Sequence, residues 1–208
     1  MVAGQAVRVD HQWQVLLIGG ASGAGKTSLS YPLARQTGAA LVEVDDLVIT
    51  AQSLTTPQHQ PDLHYWDTHP DAEHRLTADE IVALQIAVAR ALRPALDAVI
   101  ANHVETATPV VIEGDYLLPE LCAKWAGTGA VRAVFVHEPE LDQLVDNYSA
   151  REPEAGVQRK RAECSLAYGT WLAEQAARHD VPVLHPRPWP TALERMSAAL
   201  DIMGTDGS

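Results

Sequence analysis

The sharpest chemistry in this sequence sits near its amino end. Gly20-Ala21-Ser22-Gly23-Ala24-Gly25-Lys26-Thr27 satisfies G-x-x-x-x-G-K-[ST] at every specified position. Gly23 and Gly25 let the backbone curl, so that successive amides turn inward toward phosphate oxygens, and a helix N-terminus adds its positive dipole end. Lys26 then reaches the β- and γ-phosphates, and the Thr27 hydroxyl ligates Mg²⁺. The residues expected to hold a nucleoside triphosphate are Gly20, Ser22, Gly23, Ala24, Gly25, Lys26, Thr27 and Ser28. The setting supports the motif, because an apolar strand precedes it and a helix follows it.

Acids and cations elsewhere complete a candidate site. Glu113 ends a short apolar run at Val110–Ile112, where an acid can hold Mg²⁺ through its water shell; Asp115 follows two residues on. Gly114 between them suggests a close backbone approach beside the phosphates. Asp45 and Asp46 close a second run, Ala40–Val44, at the carboxyl edge where ligands of open parallel sheets bind. A carboxylate there can orient an acceptor hydroxyl and take its proton. The base is sought among Asp45, Asp46 and Asp115, which are also the expected acceptor-binding residues. Asp46 as a plain helix cap is the bland alternative. Arg151 is the expected stabiliser of charge developing on the transferred group, with Arg159, Lys160 and Arg161 beside it on a polar connection.

These groups need a frame, and the hydrophobic pattern supplies one. Val15–Ile18, Ala40–Val44, Val110–Ile112, Val131–Val136 and Val181–Leu184 suit strands, the most apolar of them buried on both faces. Helices are expected at Ser28–Thr37, Pro139–Tyr148, Arg161–His179 and Thr191–Leu200. Thr77 and Glu80 form a capping box ahead of apolar residues at 81, 84, 88, 92, 95 and 99, a long amphipathic helix that Pro94 kinks or restarts. Thr191 and Glu194 look like a second capping pair. Strand and helix alternate, which predicts an α/β fold with a parallel sheet covered on both faces. One domain over 1–208 is expected, with residues 46–106 as a helical acceptor-binding region and 150–161 as a mobile lid.

Histidines 59, 64, 69 and 74 recur every five residues, which lines no helix face and matches no metal-ligand spacing. Tyr65 and Trp66 among them are candidates for an acceptor pocket or for plain packing.

Composition narrows the partners. The chain has 208 residues, 47% of them hydrophobic, and a net charge of -12. Such an acidic domain is repelled by nucleic-acid backbones, and an aromatic content of 5% argues against a base-stacking platform. The first ten residues lack the basic region and apolar run of a signal peptide, and no run approaches a membrane span. Cys122 and Cys164 suit a reducing compartment. A cytoplasmic protein is expected, with no nucleic acid or membrane partner and with a homodimer left open.

The sequence resembles the small P-loop kinases of the nucleoside-monophosphate-kinase-like group, and its layout is most similar to 2-phosphoglycerate-kinase-like proteins. The likeness rests on the stretch from Gly19 to Thr27, on Val44-Asp45-Asp46-Leu47, on the stretch from Val111 to Pro119, and on Ala150-Arg151 ahead of a long helix. It implies a P-loop NTPase fold with a five-stranded parallel sheet and a central first strand. It also implies ATP (or another nucleoside triphosphate), Mg²⁺, and phosphoryl transfer to a hydroxyl of a small-molecule acceptor. Val48 stands where that pattern tends to carry an arginine, which points away from a strongly anionic acceptor. The rival reading is a nucleotide-driven switch or regulatory ATPase. A GTPase would show Asp-x-x-Gly and Asn-Lys-x-Asp; Asp115-Tyr116-Leu117-Leu118 lacks the glycine, and the second motif is absent.

Overall fold

The structure is a computed structural model that describes residues 12–125 and 127–202. The amino-terminal stretch in which a signal peptide was sought lies outside the described residues. A five-stranded sheet forms the centre, with strands β1 (Val15–Gly19), β2 (Ala40–Glu43), β3 (Val110–Gly114), β4 (Val131–Val136) and β5 (Val183–Leu184) in the order β2-β3-β1-β4-β5. Every pairing is parallel. The central strand is buried at each of its five residues, as its unbroken apolar sequence requires.

Period-two alternation divides that strand between two cores. Leu16 and Ile18 face helices α1 (Lys26–Thr37) and α9 (Ala192–Ala199) through Leu29, Leu33 and Met196. Val15 and Leu17 face α2 (Val44–Leu54), α5 (Ala78–Glu105) and α6 (Pro119–Trp125), with the one-turn helices α3 (Tyr65–Thr68) and α4 (Ala72–Arg75) lying between α2 and α5 in the chain. Of these, α5 is the main cover, through Val88, Leu92, Leu96 and Ile100. Helix α7 (Leu141–Arg151) and helix α8 (Arg159–Arg178) complete the fold. Tyr168 and Leu172 of α8 join the second core, so helices cover both faces of the sheet.

Several boundaries differ from the sequence reading for local reasons. The capping box of α5 forms in full: Glu80 N–H donates to Thr77 Oγ1 at 3.3 Å, and Thr77 N–H donates to Glu80 Oε2 at 2.8 Å. The helix then runs unbroken through Pro94, which is exposed. The second capping pair does not form. Thr191 closes a 3₁₀ turn at Trp189–Thr191, and its hydroxyl donates to the Pro188 carbonyl at 3.3 Å. β5 is shorter than Val181–Leu184, α7 begins at Leu141 and runs on to Arg151, and α8 begins at Arg159. The connection expected as a lid is thus reduced to residues 152–158, with a 3₁₀ turn at Pro153–Ala155.

The largest correction is at the second strand. It ends at Glu43, and Val44 begins α2, so Asp45 and Asp46 occupy the first turn of a helix and not a strand end. Val44, Leu47, Val48 and Ala51 recur at helical spacing and pack together on the α5 side. That stripe overrides the alternation read from residues 40–45, and two acids are well placed at a helix N-terminus.

Candidate active site

The loop between β1 and α1 opens the site. Gly25 is the N-cap of α1 at φ 94°, a left-handed conformation that L side chains rarely adopt. A Cβ there would also lie 2.3 Å from the indole of Trp189. Register then brings the acids in: Gly19 pairs with Gly114, so Glu113 and Asp115 flank the start of the loop. Thr27 Oγ1 donates to Glu113 Oε1 at 2.9 Å. Lys26 Nζ donates to the Ala21 carbonyl at 3.1 Å and is ion-paired with Asp115. Asn147 of α7 donates to the Gly23 carbonyl at 2.8 Å and steadies the loop from the far side.

A cavity of about 460 Å³ lies over these groups. Ser22, Gly23, Gly25, Lys26, Thr27 and Ser28 line it on the loop side. Asp45, Glu113, Asp115 and Arg151 line it from the other elements. Gly20 and Ala24 are buried and do not line it, so they shape the turn. Asp46 is exposed and lines neither of the two large cavities. Gly114 does allow a close approach, but its neighbour is Val44, whose Cβ would stand 2.5 Å from an added Cβ.

A second cavity of about 450 Å³ adjoins the first and shares Ser22, Asp45 and Asp115 with it. Its remaining wall comes from α5, α7, α8, the segment around Trp66 and the turn after β3, including Gln85, Tyr148, Arg161 and Tyr116. The Tyr168 hydroxyl donates to the Asp115 carbonyl at 2.9 Å, tying α8 to the end of β3. Val48 packs against the core and lines neither cavity, so the residue type there does not tune the site directly.

Two carboxyls are held away from their ordinary range. The Glu113 carboxyl, in a residue 4% exposed, is pushed up by burial; Lys26 and the Thr27 hydrogen bond pull the other way. Asp45 is exposed as a residue, yet its carboxyl is raised by shielding within the cavity walls and then by the like charge of Asp115. Tyr116 beside them is raised by burial and by both aspartates, and is a neutral phenol.

No family model matches this chain, and no curated protein does. Solved structures do match. A sugar kinase from Janibacter sp. HTCC2649 is 20% identical, with a TM-score of 0.55 over 92% of this chain and 96% of that one. A gluconokinase from Sinorhizobium meliloti 1021 is 16% identical, with a TM-score of 0.52 over 93% and 94%. A shikimate kinase from Acinetobacter baumannii, in complex with shikimate, is 12% identical, with a TM-score of 0.51 over 91% and 94%. The chain has the P-loop NTPase fold.

The P-loop fits the two groups its fold implies. Gly25 lines the cavity in a left-handed conformation that suits glycine, so backbone and not side chain faces the space there, as a phosphate cradle requires. Thr27 and Glu113 offer oxygen ligands only, which suits a hard divalent cation. Among the described residues no group of three or more His, Cys, Asp and Glu is arranged for a metal. A cation that keeps several waters and takes the rest of its ligands from phosphates matches so sparse a set. No helix among the described residues is long and apolar enough to cross a membrane.

Sequence reasoning missed Asn147 and Trp189. Asn147 was within reach, since it lies four residues before Arg151 on one face of α7. Trp189 was not, because nothing in the sequence ties residue 189 to residue 25. Its position depends on Glu138, which is 2% exposed and takes both Arg187 Nε at 2.8 Å and Nη2 at 2.6 Å. That pair anchors the segment carrying the indole across the P-loop.

Proposed function

We propose that the protein transfers the γ-phosphoryl group of ATP to a hydroxyl of a small molecule held between α2, α5 and α8. The observation that carries this reading is the meeting of two cavities at Asp45 and Asp115, one cavity floored by the P-loop and the other by side chains. A transfer between two bound molecules needs this arrangement, whereas a nucleotide switch needs only the first cavity. The fold-mates that act on sugars, gluconate and shikimate support a small hydroxylated acceptor. The narrower likeness to 2-phosphoglycerate-kinase-like proteins rests on sequence motifs alone: the loop, the acids and the Ala150-Arg151 segment.

In this reading the P-loop amides and Lys26 hold the β- and γ-phosphates. Thr27 and Glu113 hold Mg²⁺, which when bound neutralises phosphate charge and orients the chain. The acceptor oxygen attacks the γ-phosphorus, and the bond from that phosphorus to the β–γ bridging oxygen breaks, its electron pair leaving with ADP. Asp45 takes the hydroxyl proton. Arg151 stabilises the equatorial oxygens from the end of α7, and the 152–158 connection behaves as a lid. Positioning supplies much of the rate in such transfers.

The test is acceptor-dependent ADP release across a panel of hydroxylated metabolites and antibiotics. Stimulation by at least one acceptor is expected. Nucleotide hydrolysis that no acceptor changes would favour the switch. Hydrogen exchange of residues 152–158 with and without a triphosphate analogue tests the lid, with protection expected only in the bound state.

A further inference from the structure

The charges around the second cavity narrow the acceptor. Arg161 is the only Lys, Arg or His that lines it among the described residues, and two aspartates, Asp45 and Asp115, stand on the same wall. Arg161 is already engaged through one nitrogen. Its Nη1 donates to Glu152 Oε2 at 2.8 Å, to Glu152 Oε1 at 3.1 Å and to Gln158 Oε1 at 2.8 Å. Its guanidinium also lies 4.5 Å from the centre of the Tyr148 ring. An acceptor carrying a carboxylate or phosphate would therefore meet Asp45, Asp115 once a triphosphate has drawn Lys26 from it, and one cation already engaged by Glu152, a carboxylate that Arg151 shares.

The uncharged part of the wall asks for donors instead. Gln85 lines this cavity, and its side-chain oxygen is buried without a hydrogen-bond partner. An unpaired amide at a cavity wall is satisfied by a ligand rich in hydroxyl or amino groups, after a small turn of the side chain. Trp66 adds an aromatic side chain to the lining, which suits the carbon skeleton of a ring.

We propose that the acceptor is a hydroxylated ring compound with no anionic group, a neutral or amino-substituted polyol, and that Glu152 enforces this by engaging Arg161. This inference rests on the phosphotransfer reading for its reaction, and on the cavity alone for its charge rule. Glu152 touches no substrate; it is a positioning residue that sets the charge available at the wall.

Two measurements on the full chain test it. In the first, acceptor-dependent ADP release is compared for matched pairs such as glucose and glucuronate, with glucosamine as the amine, in wild type and Glu152→Gln. The wild type is expected to use only non-anionic members, and the variant to raise the acid-to-neutral ratio of kcat/KM by about tenfold or more. A loss of mere support for α8 would lower both members together and leave the ratio fixed. A wild type that prefers the acid of any pair, or a ratio unmoved by the variant, overturns the inference. The second arm needs no nucleotide: the melting temperature with millimolar glucuronate should rise in Glu152→Gln and not in wild type. An equal response in both proteins, including none, overturns the inference, whereas failure of the wild type to bind ATP overturns the phosphotransfer reading.

Discussion

Lys26 and Asp115 form an ion pair across the mouth of the P-loop, joining the first turn of α1 to the residue that follows β3. The lysine is 6% exposed, so without a nucleotide this pairing is what keeps a nearly buried ammonium compensated. A triphosphate must draw Lys26 away from Asp115, and the aspartate is then left at the junction of the two cavities.

Lys26→Ala should lower turnover by about 10²- to 10³-fold, the usual loss when one preorganised charge is removed from a developing anion. Its thermal transition should persist, because Asp115 keeps access to water once its partner is gone. Steady-state kinetics beside a melting curve decides; undiminished turnover in the folded variant would remove the P-loop from the reaction.

Asp115→Asn separates competition from catalysis. With the competing charge removed, triphosphate affinity should rise about fivefold, on the order of 1 kcal/mol for a partly exposed pair. Titration calorimetry with a non-hydrolysable analogue measures this. Weaker binding would mean that Asp115 orients Lys26 for the phosphates and does not compete for it.

For Asp45 the expected loss is in kcat, about 10²- to 10⁴-fold in Asp45→Asn, with nucleotide affinity unchanged. Asp46→Asn should behave as wild type, since that side chain lies outside both large cavities. The Asp45 carboxyl is raised above 3.8, so the acid limb of kcat/KM should lie higher in pH than for an ordinary aspartate. The sign for stability runs the other way. A raised folded pKa stabilises below the unfolded value and loses that contribution as pH climbs through the folded one, so Asp45→Asn should melt slightly higher at neutral pH. An acid limb unaltered in Asp45→Asn would assign the base elsewhere, with Asp115 next in line.

Glu113→Gln should shift the Mg²⁺ requirement upward by about 10- to 100-fold. The nucleotide-free variant should also gain stability at neutral pH, because burial raises the Glu113 carboxyl and the fold favours its neutral form. Mg²⁺ titrations of activity and melting curves read the two effects separately. Wild-type Mg²⁺ dependence would take the metal away from this acid.

The frame was legible because its signals are local. Leu16 and Ile18 alternate with Val15 and Leu17 within one strand, and the Thr77–Glu80 box lies within one turn. The P-loop and its acids were legible for the same reason, each being a short motif at the end of an apolar run. Asp45 was found for the wrong reason: four residues of strand ran into a helix whose own stripe begins at Val44. Trp189 and Gln85 were hidden because their roles come from elements brought together only in three dimensions. The Thr191–Glu194 pair misled, since a 3₁₀ turn takes the backbone that a cap would need.

The far ends of α7 and the start of α8 meet on one tyrosine. Arg151 lies 5.0 Å and Arg161 4.5 Å from the Tyr148 ring centre, and Glu152 bonds to both guanidiniums. One carboxylate thus divides its charge between an arginine on the nucleotide side and an arginine on the acceptor side. Nucleotide phosphates that recruit Arg151 leave Glu152 wholly to Arg161, which makes the acceptor cavity less attractive to anions. Reciprocity then requires that a bound anionic acceptor, by holding Arg161, weaken the grip on nucleotide by the same factor. In the phosphotransfer reading the two sites would be linked through a single side chain, with bound nucleotide sharpening the choice of acceptor.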